Sequence, residues 1–182
     1  MVTHRLTRAW FAWLAGWWLG CAWAAQPLPT VSAIDVPRYM GTWYEIAKFP
    51  NWFQRKCVGN TQAQYALQSD GSLQVTNRCK LASGQFDEAI GAARQIGNAN
   101  SPKLQVRFAP SWLSIIPAVW GDYWVIALDD NYQWAAISEP GRAYLWILSR
   151  TPRMDARTYA SLLERLGALG LDVQKLELTA QD

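Results

Sequence analysis

Apolar and polar residues alternate along most of the chain after residue 40. Between residues 61 and 67 the odd-numbered positions carry Thr61, Ala63, Tyr65 and Leu67, with glutamines among the even-numbered ones. After a turn signal at 69–71, the alternation resumes from residue 73 to residue 79. A period of two predicts half-buried strands, and a turn between two such strands predicts a β-hairpin.

The same alternation, interrupted by turn signals, predicts eight strands in all. We place them at 42–49, 61–67, 73–79, 85–96, 103–109, 123–128, 132–138 and 143–149. After Thr151-Pro152 the apolar residues recur at helical spacing, which predicts a helix that begins near Asp155 and ends at Gly170. Eight short strands followed by one amphipathic helix favour an antiparallel barrel or sandwich. An eight-stranded up-and-down barrel leaves no free edges and can hold one small ligand.

Residues 1–24 have the pattern of a secretory signal peptide. The positively charged segment with His4, Arg5 and Arg8 is followed by an uncharged stretch at 9–25. This stretch contains Ala22-Trp23-Ala24, which has the A-x-A pattern of a signal-peptidase cleavage site. We therefore predict an exported chain in which residues 25–182 form a single domain.

Two alternatives to cleavage at this segment remain. A membrane anchor would need about 20 apolar residues, so the stretch is slightly short for one. Lipidation at Cys21 is the other alternative, although a bacterial lipobox has leucine three places before the cysteine, where this chain has Trp18.

Composition excludes several kinds of chemistry. The chain has 182 residues and a formal net charge of +3, without any run of Lys or Arg, which argues against a nucleic-acid surface. Its single histidine, His4, lies inside the predicted signal peptide. The predicted domain therefore cannot build a Ser-His-Asp or Cys-His nucleophile, a His-ligated metal site or a haem site. We expect no metal and no cofactor.

Cys57 and Cys79 are the two thiols of the predicted domain. They are not in C-x-x-C spacing, and they lie toward the same end of the predicted hairpin. In an exported chain such a pair predicts a disulfide, which would stabilise the fold by about 3 kcal/mol.

Three segments resemble motifs of the lipocalin family. Gly41-Thr42-Trp43-Tyr44-Glu45 resembles the first motif, and residues 144–152, which contain Arg150, resemble the last-strand motif. Residues 121–129 resemble the sixth strand of the bacterial outer-membrane, apolipoprotein-D-like branch. The second motif, usually Thr-Asp-Tyr, departs from the pattern and reads Leu128-Asp129-Asp130. The resemblance implies an all-β fold, an eight-stranded antiparallel up-and-down barrel with one C-terminal α-helix packed outside.

Trp43 begins the first predicted strand and Arg150 ends the eighth. These strands are neighbours in a closed barrel, so we predict that both side chains reach the same end. A guanidinium stacked on an indole contributes about 0.5–2 kcal/mol. We interpret the pair as a structural floor and not as a ligand contact.

Every second side chain of a strand lies on the same face of the sheet, and we call this alternation parity. Counted from Trp43, Arg150 and the apolar positions, parity predicts the residues that line the barrel. They are Ala47, Ala63, Tyr65, Val75, Val106, Phe108, Tyr123, Val125, Tyr144 and Trp146. On the fourth strand, either the set with Ala89, Gly91 and Ala93 or the set with Ile90 and Ala92 faces inward. The lining suits a lipophilic ligand with a small polar head. The alternative is that these side chains simply fill the barrel.

The loops after the first and fifth strands are unusually apolar. They carry Trp52, Phe53, Trp112, Leu113, Ile115 and Ile116. Both loops belong at the open end of the barrel, where apolar side chains suit contact with a membrane surface. The alternative is a loop folded over the mouth as a lid.

The resemblance implies binding and storage or transport of a fatty acid or lysophospholipid in the bacterial cell envelope, without catalysis. It also implies that the exported chain is located in the periplasm or outer membrane. One alternative is a lipid-modifying enzyme on the same scaffold. Its candidate acid–base groups would be Glu45, Asp87, Glu88, Asp122, Tyr123 and Tyr144, but their spacing shows no converging pair of carboxylates. A second alternative is a lipid-anchored protein that maintains the envelope.

Overall fold

Eight antiparallel strands form the barrel of the computed structural model, which describes residues 26–182. They are β1 (Gly41–Lys48), β2 (Cys57–Leu67), β3 (Leu73–Leu81), β4 (Phe86–Gln95), β5 (Lys103–Arg107), β6 (Gly121–Leu128), β7 (Trp134–Ser138) and β8 (Leu145–Ser149). Each strand pairs with the next, and β1 pairs with both β8 and β2, so that the sheet closes on itself. The predicted barrel is confirmed. The predicted signal peptide and Cys21 lie outside the described residues.

Two helices flank the strands. The short α1 (Val36–Tyr39) precedes β1, and the side chain of its N-cap Asp35 accepts a hydrogen bond from the backbone N–H of Arg38. The C-terminal α2 (Ala156–Ala168) begins after Asp155, whose carboxylate accepts from Thr158 N at 2.9 Å. The predicted C-terminal helix is therefore confirmed, with Asp155 at its start, where it serves as the N-cap.

The barrel wall separates two apolar clusters. The inner cluster fills the lower part of the barrel around Trp43, Tyr65 and Val125. The outer cluster lies between the barrel wall and α2, whose Leu162 and Leu166 are buried there. The helix thus packs outside the barrel, as predicted, because its apolar stripe matches the outward residues of β1, β6, β7 and β8.

Bulges reverse the side-chain alternation on two strands. Between Glu45 and Ala47 the register of β1 against β8 shifts by one residue. The prediction that Ala47 lines the barrel is therefore wrong: Ala47 pairs with Ile147 and is buried in the outer cluster. A similar shift follows Val125, and it turns Leu128 toward the inner cluster. A β-bulge adds a residue to one strand, so parity cannot be counted across it.

A ninth strand, β9 (Glu177–Leu178), was not predicted from the sequence. It pairs with the upper part of β1, where β1 and β2 have separated, since these two strands pair only from Gly41 to Tyr44. The segment after β9 then bridges to β2, because Asn60 N donates to Ala180 O at 2.7 Å. A Cβ on Gly59 would lie 2.9 Å from that carbonyl oxygen, so the close approach requires glycine.

The predicted disulfide is present. Cys57 begins β2 and Cys79 lies near the end of β3, with their Cα atoms 5.5 Å apart. It therefore joins two neighbouring strands at the upper end of the barrel.

Two negative findings concern residues 26–182. No helix in this range is long and apolar enough to cross a membrane. The same range holds no cluster of three or more His, Cys, Asp or Glu side chains with the arrangement of a metal site.

Candidate ligand-binding site

The barrel has a closed end, which we call the floor, and an open end, which we call the mouth. Strand β1 starts at the floor, where α1 lies, and the strands alternate in direction. The connections after β1, β3, β5 and β7 therefore surround the mouth.

Trp43 and Arg150 meet at the floor. The guanidinium carbon of Arg150 lies 3.9 Å from the centre of the Trp43 ring, and Trp43 is fully buried. The indole N–H donates to Tyr39 O at 2.8 Å. Arg150 donates to the backbone oxygens of Arg38, Thr42 and Tyr132. The pair therefore ties α1, β1 and the turn before β7 together, in addition to stacking.

The turn between β6 and β7 supports this floor despite its departure from the family motif. The Asp129 carboxylate accepts from Asn131 N and Gln133 N at 3.0 and 3.2 Å. It thereby places Tyr132, whose hydroxyl accepts from Asp35 N at 2.7 Å. The guanidinium of Arg38 lies over the Tyr132 ring at 4.1 Å.

Three tyrosine hydroxyls form a layer above the floor. Tyr65 donates to the Tyr123 hydroxyl at 2.9 Å, and the Tyr39 and Tyr123 hydroxyls are 2.8 Å apart. Burial raises the pKa of Tyr65 to about 12, and it holds the pKa values of Tyr39 and Tyr123 well above the ordinary range. The three groups are therefore neutral hydrogen-bonding groups. Tyr39, which was not among the predicted lining residues, belongs to this layer.

The inward wall changes from packed to open between floor and mouth. Val75, Val125, Ala63 and Tyr65 are buried, and at this lower level side chains fill the barrel. Higher up, Val106, Tyr123 and Trp146 are only half-buried. The lining predicted on these strands therefore faces inward, with Ala47 as the exception.

The fourth strand shows where the barrel is open. Ala93 pairs with Leu73 and Gly91 with Val75, so the set with Ala89, Gly91 and Ala93 faces inward. Ala89 pairs with Asn77, and Asn77 pairs with the inward residue Ala63, so Ala89 also faces inward. Ala89 is nevertheless exposed. Solvent therefore reaches the inner wall at the level of Ala89.

Phe108 lies on the inner side of this open region. Its ring contacts Gly91, because a Cβ on Gly91 would lie 2.7 Å from Phe108 Cδ1. Glycine at this position thus makes room for an aromatic ring that keeps 42% of its surface exposed.

Aromatic rings line the mouth on the side of β8. Tyr144 and Trp146 stack with centroids 5.7 Å apart, and the Phe53 ring lies 5.8 Å from Tyr144. Trp52 packs against Phe53 at 5.6 Å. The connection after β1 therefore brings its aromatic residues onto the predicted lining.

A buried polar network holds this connection in place. The Gln54 side-chain amide donates to Glu45 Oε2 at 2.7 Å, and its carbonyl oxygen accepts from Trp146 Nε1 at 3.0 Å. Thr179, just after β9, donates to Glu45 Oε1 at 2.6 Å. Glu45 is 3% exposed, and burial raises the pKa of its carboxyl. No pattern in the sequence indicated Gln54, whose role depends on residues from three distant segments.

Lys48 also points to the inner side near the mouth, in register with Trp146. Its ammonium group lies 3.3 Å from the Glu177 carboxylate. Sequence analysis missed this cation because the bulge after Glu45 moves Lys48 to the opposite face from the one that parity predicts.

The apolar residues of the mouth connections are largely exposed. Trp112 and Ile115 are 75% and 88% exposed, whereas Leu113 is half-buried. The connection after β5 is held by Trp120, whose indole N–H donates to Ser114 O at 2.8 Å. The guanidinium of Arg94 lies 4.0 Å from the Trp120 ring centre. Trp112 and Ile115 are thus directed toward solvent and are not packed inside as a lid would be.

The candidate acid–base groups do not converge. Asp87 pairs with Lys56 at 2.6 Å, and Asp122 accepts from Gln105 at 3.1 Å. Glu88 is exposed on β4. The carboxyl of Glu45 is buried, but its hydrogen-bond partners are Gln54 and Thr179 and include no second carboxyl. None of these four carboxyls is hydrogen-bonded to another.

Comparisons with known proteins agree with this geometry. The family model described as a lipocalin-like domain matches residues 34–181. The chain is 44% identical to temperature-induced lipocalin-1 of Arabidopsis thaliana, with 86% of this chain and 84% of the relative covered. It is 37% identical to the outer membrane lipoprotein Blc of Escherichia coli K12, with 80% and 78% covered. Among solved structures, insecticyanin from the tobacco hornworm Manduca sexta superimposes with a TM-score of 0.67 at 20% identity, over 87% of each chain.

Proposed function

Since the chain belongs to the lipocalin family, whose members bind small lipophilic ligands, we propose that it stores or transports a fatty acid or lysophospholipid in the bacterial cell envelope. No bond is made or broken in this role. The observation that carries the proposal is the open upper half of the barrel, where the inward residue Ala89 is exposed.

The hydrocarbon chain of the ligand enters first. Inward side chains of the upper half offer apolar surface, among them Val106, Phe108 and Trp146. Each methylene that leaves water contributes about 0.8 kcal/mol, so a chain of several carbons binds without any ion pair. The polar head then stays near the mouth, where Lys48 and Gln54 lie.

Filling the open space tests this proposal. Ala89→Phe places a ring in the barrel, and we expect tetradecanoate to bind about fifteen-fold more weakly, which corresponds to the loss of about two buried methylenes. Ile90→Phe is the matched control, because the neighbouring residue Ile90 faces outward and is 58% exposed. Displacement of a fluorescent fatty acid measures both affinities. Equal affinities for the two variants would contradict binding inside the barrel.

Native mass spectrometry identifies the lipid itself. Protein purified without detergent should carry a fatty acid or lysophospholipid of defined mass, which appears on release of the ligand. Recovery of the same molecule after prolonged incubation supports carriage. A converted product would support the lipid-modifying enzyme instead.

The mouth residues further support transient contact with a membrane during lipid uptake. Trp52, Trp112, Ile115 and Ile116 expose apolar surface at one end of the barrel. The double variant Trp112→Ser/Ile116→Ser should bind vesicles of phosphatidylethanolamine and phosphatidylglycerol at least about tenfold more weakly. Leu67→Ser/Ile96→Ser is the matched control, since these exposed residues lie at the floor. Unchanged vesicle binding by the mouth variant refutes this contact.

A lipid anchor at Cys21 is a second candidate for how the protein is held in the envelope. It is favoured by the likeness to a relative named an outer membrane lipoprotein. The mass of the mature N-terminus distinguishes a lipid anchor from simple cleavage. A diacylated Cys21 supports the anchor, and a chain that starts at Ala25 supports cleavage by signal peptidase.

A further inference from the structure

Lys48 carries a positive charge on the inward face of the barrel, near the mouth. It pairs with Trp146 across β1 and β8, and paired residues of neighbouring strands lie on the same face of a sheet. Trp146 packs against the inner cluster, so this shared face is the inner one. The side chain of Lys48 is only 15% exposed, although lysine is among the residues that folded proteins most often leave in water. A largely covered cation therefore lies on the inner wall near the mouth.

The ammonium group of Lys48 is held by a weak partner. Within residues 26–182 its one hydrogen-bond acceptor is the Glu177 carboxylate, at 3.3 Å. An ammonium group has three hydrogens to donate, so two remain for other acceptors. Glu177 is mostly exposed and belongs to β9, a strand of two residues. Because water and salt screen a pair with an exposed carboxylate, a ligand can replace Glu177 at low cost.

Two other lysines at the mouth end are arranged differently. Lys56 pairs with Asp87 at 2.6 Å, and its side chain is exposed. Lys80 pairs with Asp182 at 2.8 Å and lies on the outer face, since it alternates along β3 with the residues of the inner cluster. Lys48 is therefore the lysine of this end that combines an inward position with a side chain mostly removed from water, where a charge is screened least.

We propose that the Lys48 ammonium group binds the anionic head of the ligand, in place of the Glu177 carboxylate. The inference rests on the proposed function, and it narrows the ligand to lipids with a negative charge at the end that enters last. A fatty-acid carboxylate and a phosphate group share this chemistry, because both present negatively charged oxygens to the ammonium donor. The hydrocarbon chain then extends from the mouth into the open upper half of the barrel.

The wall below Lys48 explains why the head stops at this level. The next inward residue of β1 toward the floor is Glu45, which is acidic and buried. Further down, the inner cluster is apolar around Val75 and Val125, and an unpaired charge there costs free energy. Arg150 at the floor directs its donors to three backbone oxygens. An anion that moved deeper than Lys48 would therefore lose its charged partner.

Three probes that share one hydrocarbon chain test the inference: tetradecanoate, tetradecyl phosphate and tetradecan-1-ol. In Lys48→Met the two anions should bind about tenfold more weakly than in the parent, the effect of one hydrogen bond to a charged group. The affinity for the uncharged alcohol should stay within about twofold. Displacement of a fluorescent fatty acid measures all three. A loss confined to one of the anions supports the inference and identifies which head the site accepts.

The variant Glu177→Gln gives a change in the opposite direction. It removes the competing carboxylate, so tetradecanoate should bind about threefold more tightly, whereas tetradecan-1-ol should be unaffected. This result remains decisive if Lys48→Met fails to fold. Lys48→Arg keeps the positive charge and should retain the preference for the anions. Lys80→Met is the matched control, because it breaks an ion pair at the same end but on the outer face, and it should leave the ratio of the affinities unchanged.

Nuclear magnetic resonance adds a readout that a packing defect does not move. The carboxyl signal of bound [1-¹³C]tetradecanoate reports its titration. The pKa of this carboxyl should be lower in the parent than in Lys48→Met, because a nearby cation favours the ionised form. Equal pKa values in the two proteins would overturn the inference even if the affinities differ.

The outcomes separate this inference from the proposed function. If the probes bind the parent and Lys48→Met changes the affinities for anions and alcohol equally or not at all, the ion pair with Lys48 is refuted and lipid carriage stands. Unchanged or weaker binding of tetradecanoate to Glu177→Gln refutes the replacement of Glu177. If no probe binds the parent, both the inference and the proposed function fail.

Discussion

At the floor of the barrel, Arg150 donates to three backbone oxygens and covers a fully buried indole, whereas at the mouth Gln54 joins a buried carboxylate to a half-buried indole. Both ends connect strands that are distant in sequence. The floor does so mainly with bonds to the backbone, and the mouth with side-chain bonds between Glu45, Gln54 and Trp146.

This difference matches a barrel that is closed at the floor and open at the mouth. Bonds to backbone oxygens and tight packing leave few alternative arrangements at the floor. Loop segments with exposed side chains open at lower free-energy cost, and the mouth consists of such segments around Trp52 and Trp112. The molecule therefore combines a rigid base with an end at which a ligand can enter.

The largest effect on stability is expected when the tryptophan at either end of the barrel is replaced by alanine. Trp43→Ala should lower the free energy of unfolding by about 4 kcal/mol, because it leaves a cavity beneath the tyrosine layer. Trp146→Ala should cost about half as much, since Trp146 is half-buried. Urea unfolding monitored by circular dichroism measures both. Equal losses would show that the two ends are equally important to stability.

The disulfide between Cys57 and Cys79 joins β2 and β3 at the mouth end. Cys57→Ser/Cys79→Ser should lower the free energy of unfolding by about 3 kcal/mol, because the unfolded chain gains the freedom of the opened loop. The reduced parent protein should behave in the same way, which controls for the serine substitutions. A loss below about 1 kcal/mol would contradict this estimate.

Arg150→Lys tests whether the floor depends on geometry or on charge. Lysine keeps the positive charge, but its donors all belong to one nitrogen, whereas the three carbonyl oxygens bind three separate nitrogens of the Arg150 guanidinium. We therefore expect a loss of about 2 kcal/mol in the free energy of unfolding. Arg153→Lys, at an exposed position three residues further on, should change it by less than about 0.5 kcal/mol. A neutral effect of Arg150→Lys would show that the floor depends on the positive charge over the Trp43 ring, which lysine retains, and not on the geometry of the guanidinium.

Glu45 gives the smallest expected effect, a dependence of stability on pH. Burial raises the pKa of its carboxyl, so the folded chain holds a proton at Glu45 more readily than the unfolded chain. Its contribution to stability is therefore complete below the ordinary glutamate pKa and is lost as pH rises through the raised value.

Glu45→Gln removes this titration and keeps an amide that can accept from Gln54 and donate to Thr179. The unfolding free energy of the variant relative to the parent should therefore increase with pH across that window. Denaturant unfolding at a series of pH values measures the difference. A difference that does not change with pH would refute the assigned cause.

Short-range patterns in the sequence predicted much of the molecule correctly. Alternation located the eight strands within a few residues, and the spacing of Leu162 and Leu166 located the helix. Parity placed Tyr65, Val75 and Val125 on the inner face. Each of these features repeats over a few neighbouring residues, so that local sequence is enough to reveal it.

Other parts of the site could not be predicted from short-range sequence patterns. The bulge at Glu45 turns Ala47 outward, and nothing in the local pattern marks it. The layer of Tyr39, Tyr65 and Tyr123 joins three elements up to 84 residues apart. Gln54 meets Trp146 over 92 residues, and Thr179 meets Glu45 over 134.

The sequence by itself determined the eight strands of the barrel, the C-terminal helix, the cysteine pair and the absence of histidine beyond residue 4. Only the tertiary structure decided where strand register shifts, how the C-terminal segment fills the gap between β1 and β2, and which three tyrosines join in one hydrogen-bonded layer. The physical reason is that side-chain periodicity is a local property, whereas register, strand separation and hydrogen bonds across the barrel depend on closure of the whole sheet.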